Sequence, residues 1–271
     1  MNLSVPLRRD LATRALHYAQ SRSLPHSLSY GDSPVVCFAP DNSHHGNFFS
    51  ASYKAILSNP AWRRRLGKVH TQARRSLPVT ARRWMELDTC TSSDALLMNI
   101  FCHPTISRGQ TLRWLGAATE VVARFGYRAR VPLTNGKSDR TEVDLRLGDL
   151  LIEAKLTESD FQKTEKKFMA AYRDFEKVFD ATALPQTATH YLSYQLLRNV
   201  LAAHALQCAF CVLLDARRPD LIESWYAVMK CVQPADLRTA LRVLTWQELA
   251  QTLPNTLQEF LASKYGIEAA T

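Results

Sequence analysis

The sequence predicts an α/β protein, with helices and strands interspersed over its second half and helices dominating its first. Three stretches carry that reading. Thr141–Glu158 alternates apolar and polar residues on both sides of Gly148-Asp149, as a β-hairpin does. Residues 191–207 repeat apolar side chains at helical spacing. Cys208–Asp215 (CAFCVLLD) is a short, nearly continuous apolar run of the kind that forms a strand buried on both faces.

The other elements follow in chain order. Residues 2–23 have a partly helical pattern, and 25–40 are loop-like around the apolar run Val35-Val36-Cys37-Phe38. Residues 48–57 and 60–77 read as helices. Ser92-Ser93-Asp94 can cap a short apolar helix over 95–102, which His103-Pro104 ends. A helix is predicted over 111–125, with Leu112, Leu115, Ala118, Val122 and Phe125 on one face and Gly126 at its end. A first strand follows over 127–133, with Thr134-Asn135-Gly136 as turn material. After the hairpin, Ser159 and Gln162 form a capping box for a long helix. Its stripe would be Phe161, Phe168, Tyr172, Phe175 and Phe179, with Lys163, Lys166, Lys167, Arg173 and Lys177 on the other faces. Residues 241–244 suggest a further short strand, 246–253 a helix that Pro254 ends, and LQEFLASKYGI a last amphipathic helix. No linker, repeat or low-complexity segment interrupts the chain. The expected organisation is a mainly helical extension, 1–105, packed on a core, 106–271, as one compact unit.

The hairpin carries the chemistry. With the turn centred on Gly148-Asp149, Asp144 lies across from Glu153 and Glu142 across from Lys155. The opposite face, Val143, Leu145, Leu147, Leu150, Ile152, Ala154 and Leu156, is apolar throughout. Facing carboxylates destabilise a sheet. At roughly 5 Å and an effective dielectric of about 20 the repulsion is on the order of 3 kcal/mol. A shared proton or a divalent cation relieves it, and an all-oxygen ligand set favours Mg²⁺ or Mn²⁺ over zinc. The alternative is a charged sheet face turned to water.

Asp144, followed after a short hairpin by Glu153-Ala154-Lys155, resembles the motif of the PD-(D/E)XK nuclease superfamily, the restriction-endonuclease-like fold. Asp144 matches the first acid, Glu153 the second and Lys155 the motif lysine; Val143 stands where the family often has proline. The segments NFFSASYKAIL and SSDALLMNIFCHP are similar to an uncharacterised bacterial group of the same superfamily. The resemblance implies a mixed central sheet flanked by helices and metal-dependent hydrolysis of phosphodiester bonds. It implies Mg²⁺ (or Mn²⁺) held by Asp144, Glu153, the Ala154 carbonyl and Glu120 from the preceding helix. Lys155 would orient the attacking water or stabilise charge on the phosphate, with Glu142 holding the lysine. Gln195, from the helix after the motif, would stand beside the active site; its bland reading is a polar helix-surface residue. Many enzymes of the superfamily cut as dimers, so a homodimer is compatible.

Charge points to a polyanionic partner. The chain has 34 basic and 25 acidic residues, a net of +9. Eight of those bases lie between Ala61 and Arg83 without an acid among them: Arg63, Arg64, Arg65, Lys68, Arg74, Arg75, Arg82 and Arg83. Such a run suits the phosphates of nucleic acid, DNA before RNA, and gives affinity without sequence reading. Two other functions fit the same charge: a nucleic-acid binder that does not cut, and a protein-interaction module whose basic patch meets an acidic partner. Six cysteines sit mostly in apolar runs, as structural thiols do, and Cys208/Cys211 has no second pair to make a zinc site. His44-His45 lacks partners at ligand spacing. With no apolar leader and no run of roughly 18 apolar residues, the expectation is a soluble cytoplasmic protein.

Overall fold

The computed structural model describes residues 3–29, 33–41, 43–69, 84–106, 109–118 and 120–270. The chain divides into two compact units, Leu115–Thr245 and a unit made of Met1–Trp114 with Trp246–Thr271. The last helix, Asn255–Tyr265, falls in the second of these units. That helix packs on the N-terminal helix Ser4–Ser21, where the Tyr18 and Phe260 rings meet edge to face at 5.8 Å. Leu7, Leu11, Ala15 and Ala19, spaced by four, form the buried stripe of the N-terminal helix. Thr252 donates to Thr111 (3.0 Å), a second tie between the two ends of the sequence.

The Leu115–Thr245 unit is built on a mixed five-stranded sheet. Its strand order is Leu241–Thr245, Ala209–Leu214, Leu150–Ala154, Glu142–Leu147, Arg124–Arg128. The first three strands run parallel and the last two pair antiparallel, which matches the expected fold class. Leu151, Phe210, Val212 and Leu214 share a core with Leu196, Leu197 and Val200 of the helix Tyr194–Leu206 and with Leu221, Trp225 and Val228 of the helix Pro219–Met229. The strand Ala209–Leu214 is apolar along its length because it is buried on both faces.

Several predicted boundaries move. The helix expected over 111–125 is only Gln110–Leu115. Gly116 ends it at φ +66°, and Arg242 donates to the end carbonyl of Leu115. Arg124–Arg128 is instead the edge strand of the sheet; of the strand expected over 127–133, Tyr127 and Arg128 lie in it, and Val131–Pro132 pairs with Ser138–Asp139 in a separate two-stranded sheet. The long helix expected from Ser159 is absent. Asp160 Oδ1 accepts from the Gln162 amide (2.7 Å), Gln162 takes φ +61°, and Lys163–Glu165 pairs antiparallel with His190–Leu192. Only two helical turns follow, Lys166–Met169 and Phe175–Val178. Phe161, Tyr172, Phe175 and Phe179 are buried as expected, but Phe168 is 56% exposed, because no continuous helix carries it inward. A distant pairing partner overrides a local helical pattern. The helix expected over 60–77 is Pro60–Arg65 within the described residues; its remainder from His70 lies outside them.

Candidate active site

The hairpin has the predicted register: Leu147 pairs with Leu150, Arg146 with Leu151 and Leu145 with Ile152. Gly148 takes φ +55° at the first turn position, which a type II′ hairpin turn reserves for glycine. The ladder stops at Leu145/Ile152. One step on, where Asp144 faces Glu153, the Ala154 amide donates to Asp144 Oδ2 (2.9 Å) in place of a backbone carbonyl. On its other edge the same strand continues beside Ala209–Leu214, and the Lys155 amide donates to Leu213 O (2.8 Å).

Glu153 and Lys155 are almost wholly buried, at 1% and 4% exposure, so this strand's part of the charged face is not turned to water, while Asp144 and Glu142 across from them are half-buried. Lys155 Nζ donates to Glu153 Oε1 (2.8 Å) and lies 5.5 Å from the centre of the Phe161 ring. Burial by itself would push the Lys155 ammonium down. The negative charges of Glu153, Glu158 and Asp144 together outweigh it and hold the group above its ordinary value, so it stays charged. Glu158 Oε2 accepts from the Leu156 amide (2.7 Å), and the Glu158 carbonyl accepts from Arg218 (2.6 Å), a fully buried guanidinium.

The second oxygen of Glu153 is taken by a residue that sequence reasoning missed. Asn199 Nδ2 donates to Glu153 Oε2 (2.7 Å), and Asn199 Oδ1 accepts from Arg198 Nε (3.1 Å) and Nη2 (2.9 Å). The available signal was an amide set among Leu196, Leu197, Val200 and Leu201 in an apolar helix, since a buried amide must find partners. Gln195 lies one turn earlier on the same helical face as Asn199. Its backbone amide donates to Phe161 O (3.0 Å), and its buried Oε1 accepts no hydrogen bond.

Other expected site residues stand elsewhere. Glu120 is not helical; it is exposed in a turn at φ +65°. The Glu142 carboxylate lies 3.8 Å from Arg128, and its carbonyl accepts from Arg198 Nη2 (2.8 Å). In the basic run, Arg63 and Arg64 are exposed. Arg65 instead pairs with Asp94 (2.9 Å), and Lys68 with both Asp94 (2.6 Å) and Glu86 (2.7 Å). Arg74, Arg75, Arg82 and Arg83 lie outside the described residues. His45 pairs with Asp88 (3.0 Å). All six cysteines are buried thiols. Among the described residues no three His, Cys, Asp or Glu side chains are grouped to hold a metal, and no helix is long and apolar enough to cross a membrane.

Over residues 15–266 the chain matches the family described as REase-ARP, Restriction Endonuclease associating with ARP. The chain belongs to this family. The match spans both units and takes in the half-buried Asp144 together with the buried Glu153 and Lys155. Comparison with curated proteins and with solved structures gives no match.

Proposed function

We propose that this REase-ARP protein is a metal-dependent endonuclease of the PD-(D/E)XK type, hydrolysing phosphodiester bonds in nucleic acid, DNA before RNA. The observation that carries the reading is the buried Glu153–Lys155 pair beside Asp144 at the point where the hairpin ladder opens. A buried ion pair adds little to stability, and well-packed apolar residues would serve the fold as well. A charged lysine among three acids therefore suits chemistry better than scaffolding.

The donor set fits a hard cation. Asp144 and Glu153 supply carboxylate oxygens and Ala154 a carbonyl. An oxygen that accepts one hydrogen bond retains a second lone pair. Two carboxylates and a carbonyl suit Mg²⁺ or Mn²⁺, since Mg²⁺ keeps several of its own waters. Glu120 is left out of this set because it is an exposed turn residue. When bound, the metal would supply Lewis acidity and a water of lowered pKa.

The chain's own residues would do the rest. Lys155 keeps its proton and donates to a phosphoryl oxygen as charge develops there. Phe161 covers the lysine and limits water beside it. Gln195 Oε1, a buried acceptor, takes a hydrogen bond from the attacking water and orients it. Arg63 and Arg64 contact backbone phosphates. The family description also names an association with ARP, and we infer that the chain works beside such a protein.

The test is cleavage of labelled DNA and RNA with Mg²⁺ or Mn²⁺, beside EDTA and the variants Asp144→Ala, Glu153→Ala and Lys155→Ala. Metal-dependent cleavage lost in all three supports the reading. Intact substrate with the wild-type protein, across duplex, single-stranded and branched forms, overturns it.

A further inference from the structure

We propose that Arg198 and Asn199 are positioning residues that set the separation of Asp144 and Glu153, and with it the choice between Mg²⁺ and Mn²⁺. This rests on the metal site proposed above. The hairpin ladder ends one step before the two acids, so backbone pairing does not fix their spacing. Two side-chain links replace it. One is the Ala154 amide on Asp144 Oδ2. The other passes through the helix Tyr194–Leu206: Arg198 Nη2 holds the carbonyl of Glu142, two residues from Asp144, and Asn199 holds the carboxylate of Glu153.

The polarity of this relay has one solution. Arginine has only donors, so the Asn199 oxygen must face Arg198. The Asn199 NH₂ is then left to donate, and an ionised carboxylate only accepts. Arg198 thus prevents the amide from flipping, and Asn199 presents a donor to Glu153 Oε2 while Lys155 occupies Oε1. Both residues are buried, at 4% and 0% exposure, so the geometry is fixed by packing as well as by hydrogen bonds.

Mg²⁺ demands near-ideal octahedral geometry at short distances. Loosening the spacing should therefore penalise it before the larger and more tolerant Mn²⁺. Groups that orient metal ligands typically contribute about 10–100-fold in affinity or activity.

The experiment measures Mn²⁺ binding without substrate, by loss of the free-ion electron paramagnetic resonance signal, with Mg²⁺ as competitor. It compares wild type, Asn199→Ala, Asn199→Asp and Arg198→Lys, with thermal melts of each. Cleavage rates in the two metals are the second readout. The expected result is a Mg²⁺ affinity lower by about 10–100-fold in Asn199→Ala, a smaller loss for Mn²⁺, and partial recovery of cleavage in Mn²⁺. Arg198→Lys, which keeps the charge but not the forked donor, should show the same split in a protein that melts near wild type. Equal losses in both metals, tracking the melting temperature, would mean a scaffold role and overturn the proposal. So would unchanged binding in every variant, with the nuclease reading left standing. Wild-type protein that binds neither metal removes both readings.

Discussion

Two lysines in this chain are almost wholly buried, and their surroundings push them in opposite directions. Lys155, in the sheet unit, touches Glu153 and is held in its charged form by three acids. Lys264, on the last helix of the other unit, has no carboxylate beside it among the described residues. Its Nζ donates to the Asn47 carbonyl (2.9 Å), to Asn47 Oδ1 and to the Tyr265 hydroxyl (3.2 Å). It is flanked by the rings of Phe38 (4.8 Å), Tyr265 (4.7 Å) and Phe260 (5.4 Å). Burial drives its ammonium well below the ordinary lysine value, and a neighbouring Cys90 thiol offsets only part of that. Burial alone therefore does not make a reactive lysine; the partner decides. Lys264 is a strut tying the last helix to the Asn47 loop, with its charged form disfavoured by burial, while Lys155 is a stored positive charge.

The largest effect should come from breaking the Glu153–Lys155 pair. Lys155→Met leaves a buried carboxylate and should cost about 3–5 kcal/mol, as Glu153→Leu should for the stranded ammonium. The double variant should return to within about 1–2 kcal/mol of wild type and remain without cleavage. Urea denaturation measures all three. If the double variant is as unstable as the singles, the pair is part of the scaffold and the contrast with Lys264 fails.

The pH dependence of stability sharpens the same contrast. A base whose folded pKa lies below its unfolded value stabilises the fold fully above the unfolded value, about 10.4 for lysine, and loses that contribution as pH falls toward the folded value. Lys264 should therefore make the protein more stable as pH rises toward the unfolded lysine value, by up to about 1.4 kcal/mol per pH unit. Lys155, raised instead, contributes fully below its unfolded value and loses that contribution only as pH climbs through its folded value, so it adds no slope in this range. Lys264→Met should flatten the pH profile of the urea midpoint relative to wild type, and Lys155→Met should not. Equal slopes in wild type and Lys264→Met would show that Lys264 keeps its proton inside the fold.

How much of this is legible in the sequence depends on how local the signal is. The hairpin register comes through because a period of two and a turn glycine fix every pairing between Leu145 and Ile152. Asp144, Glu153 and Lys155 follow from that register. Asn199 does not, because one amide in an apolar helix has no periodic signature; its partner is 46 residues away in sequence. The ribbon Lys163–Glu165 is hidden for the same reason: its partner strand begins at His190, and the intervening aromatics mimic a helical stripe. The helix before Arg124 is shorter than its apolar spacing suggests because Gly116, mid-pattern, is a stop, and a glycine inside a helical pattern is compatible with either outcome.

The basic run shows the same limit, and it yields the smallest predicted effect. Counting charge from Ala61 to Arg83 finds no acid, yet Asp94 and Glu86 lie just beyond the window and claim Arg65 and Lys68. Burial would lower the Lys68 ammonium, but Asp94 and Glu86 raise it above its ordinary value, so that charge is used internally. Arg63 and Arg64 remain exposed on the same short helix. Each phosphate contact contributes about 0.9 to the slope of log affinity against log salt. Arg63→Ala with Arg64→Ala should then reduce the slope for DNA by up to about two, at unchanged stability. Arg65→Ala should leave the slope as it is and lower the melting temperature, because Asp94 (3% side-chain exposure) loses a partner. Fluorescence anisotropy of labelled DNA across a salt series separates the two. A slope that falls with Arg65→Ala and not with the exposed pair would mean that the internal ion cluster opens to bind phosphate, and that its acids act as placeholders for nucleic acid rather than as permanent partners.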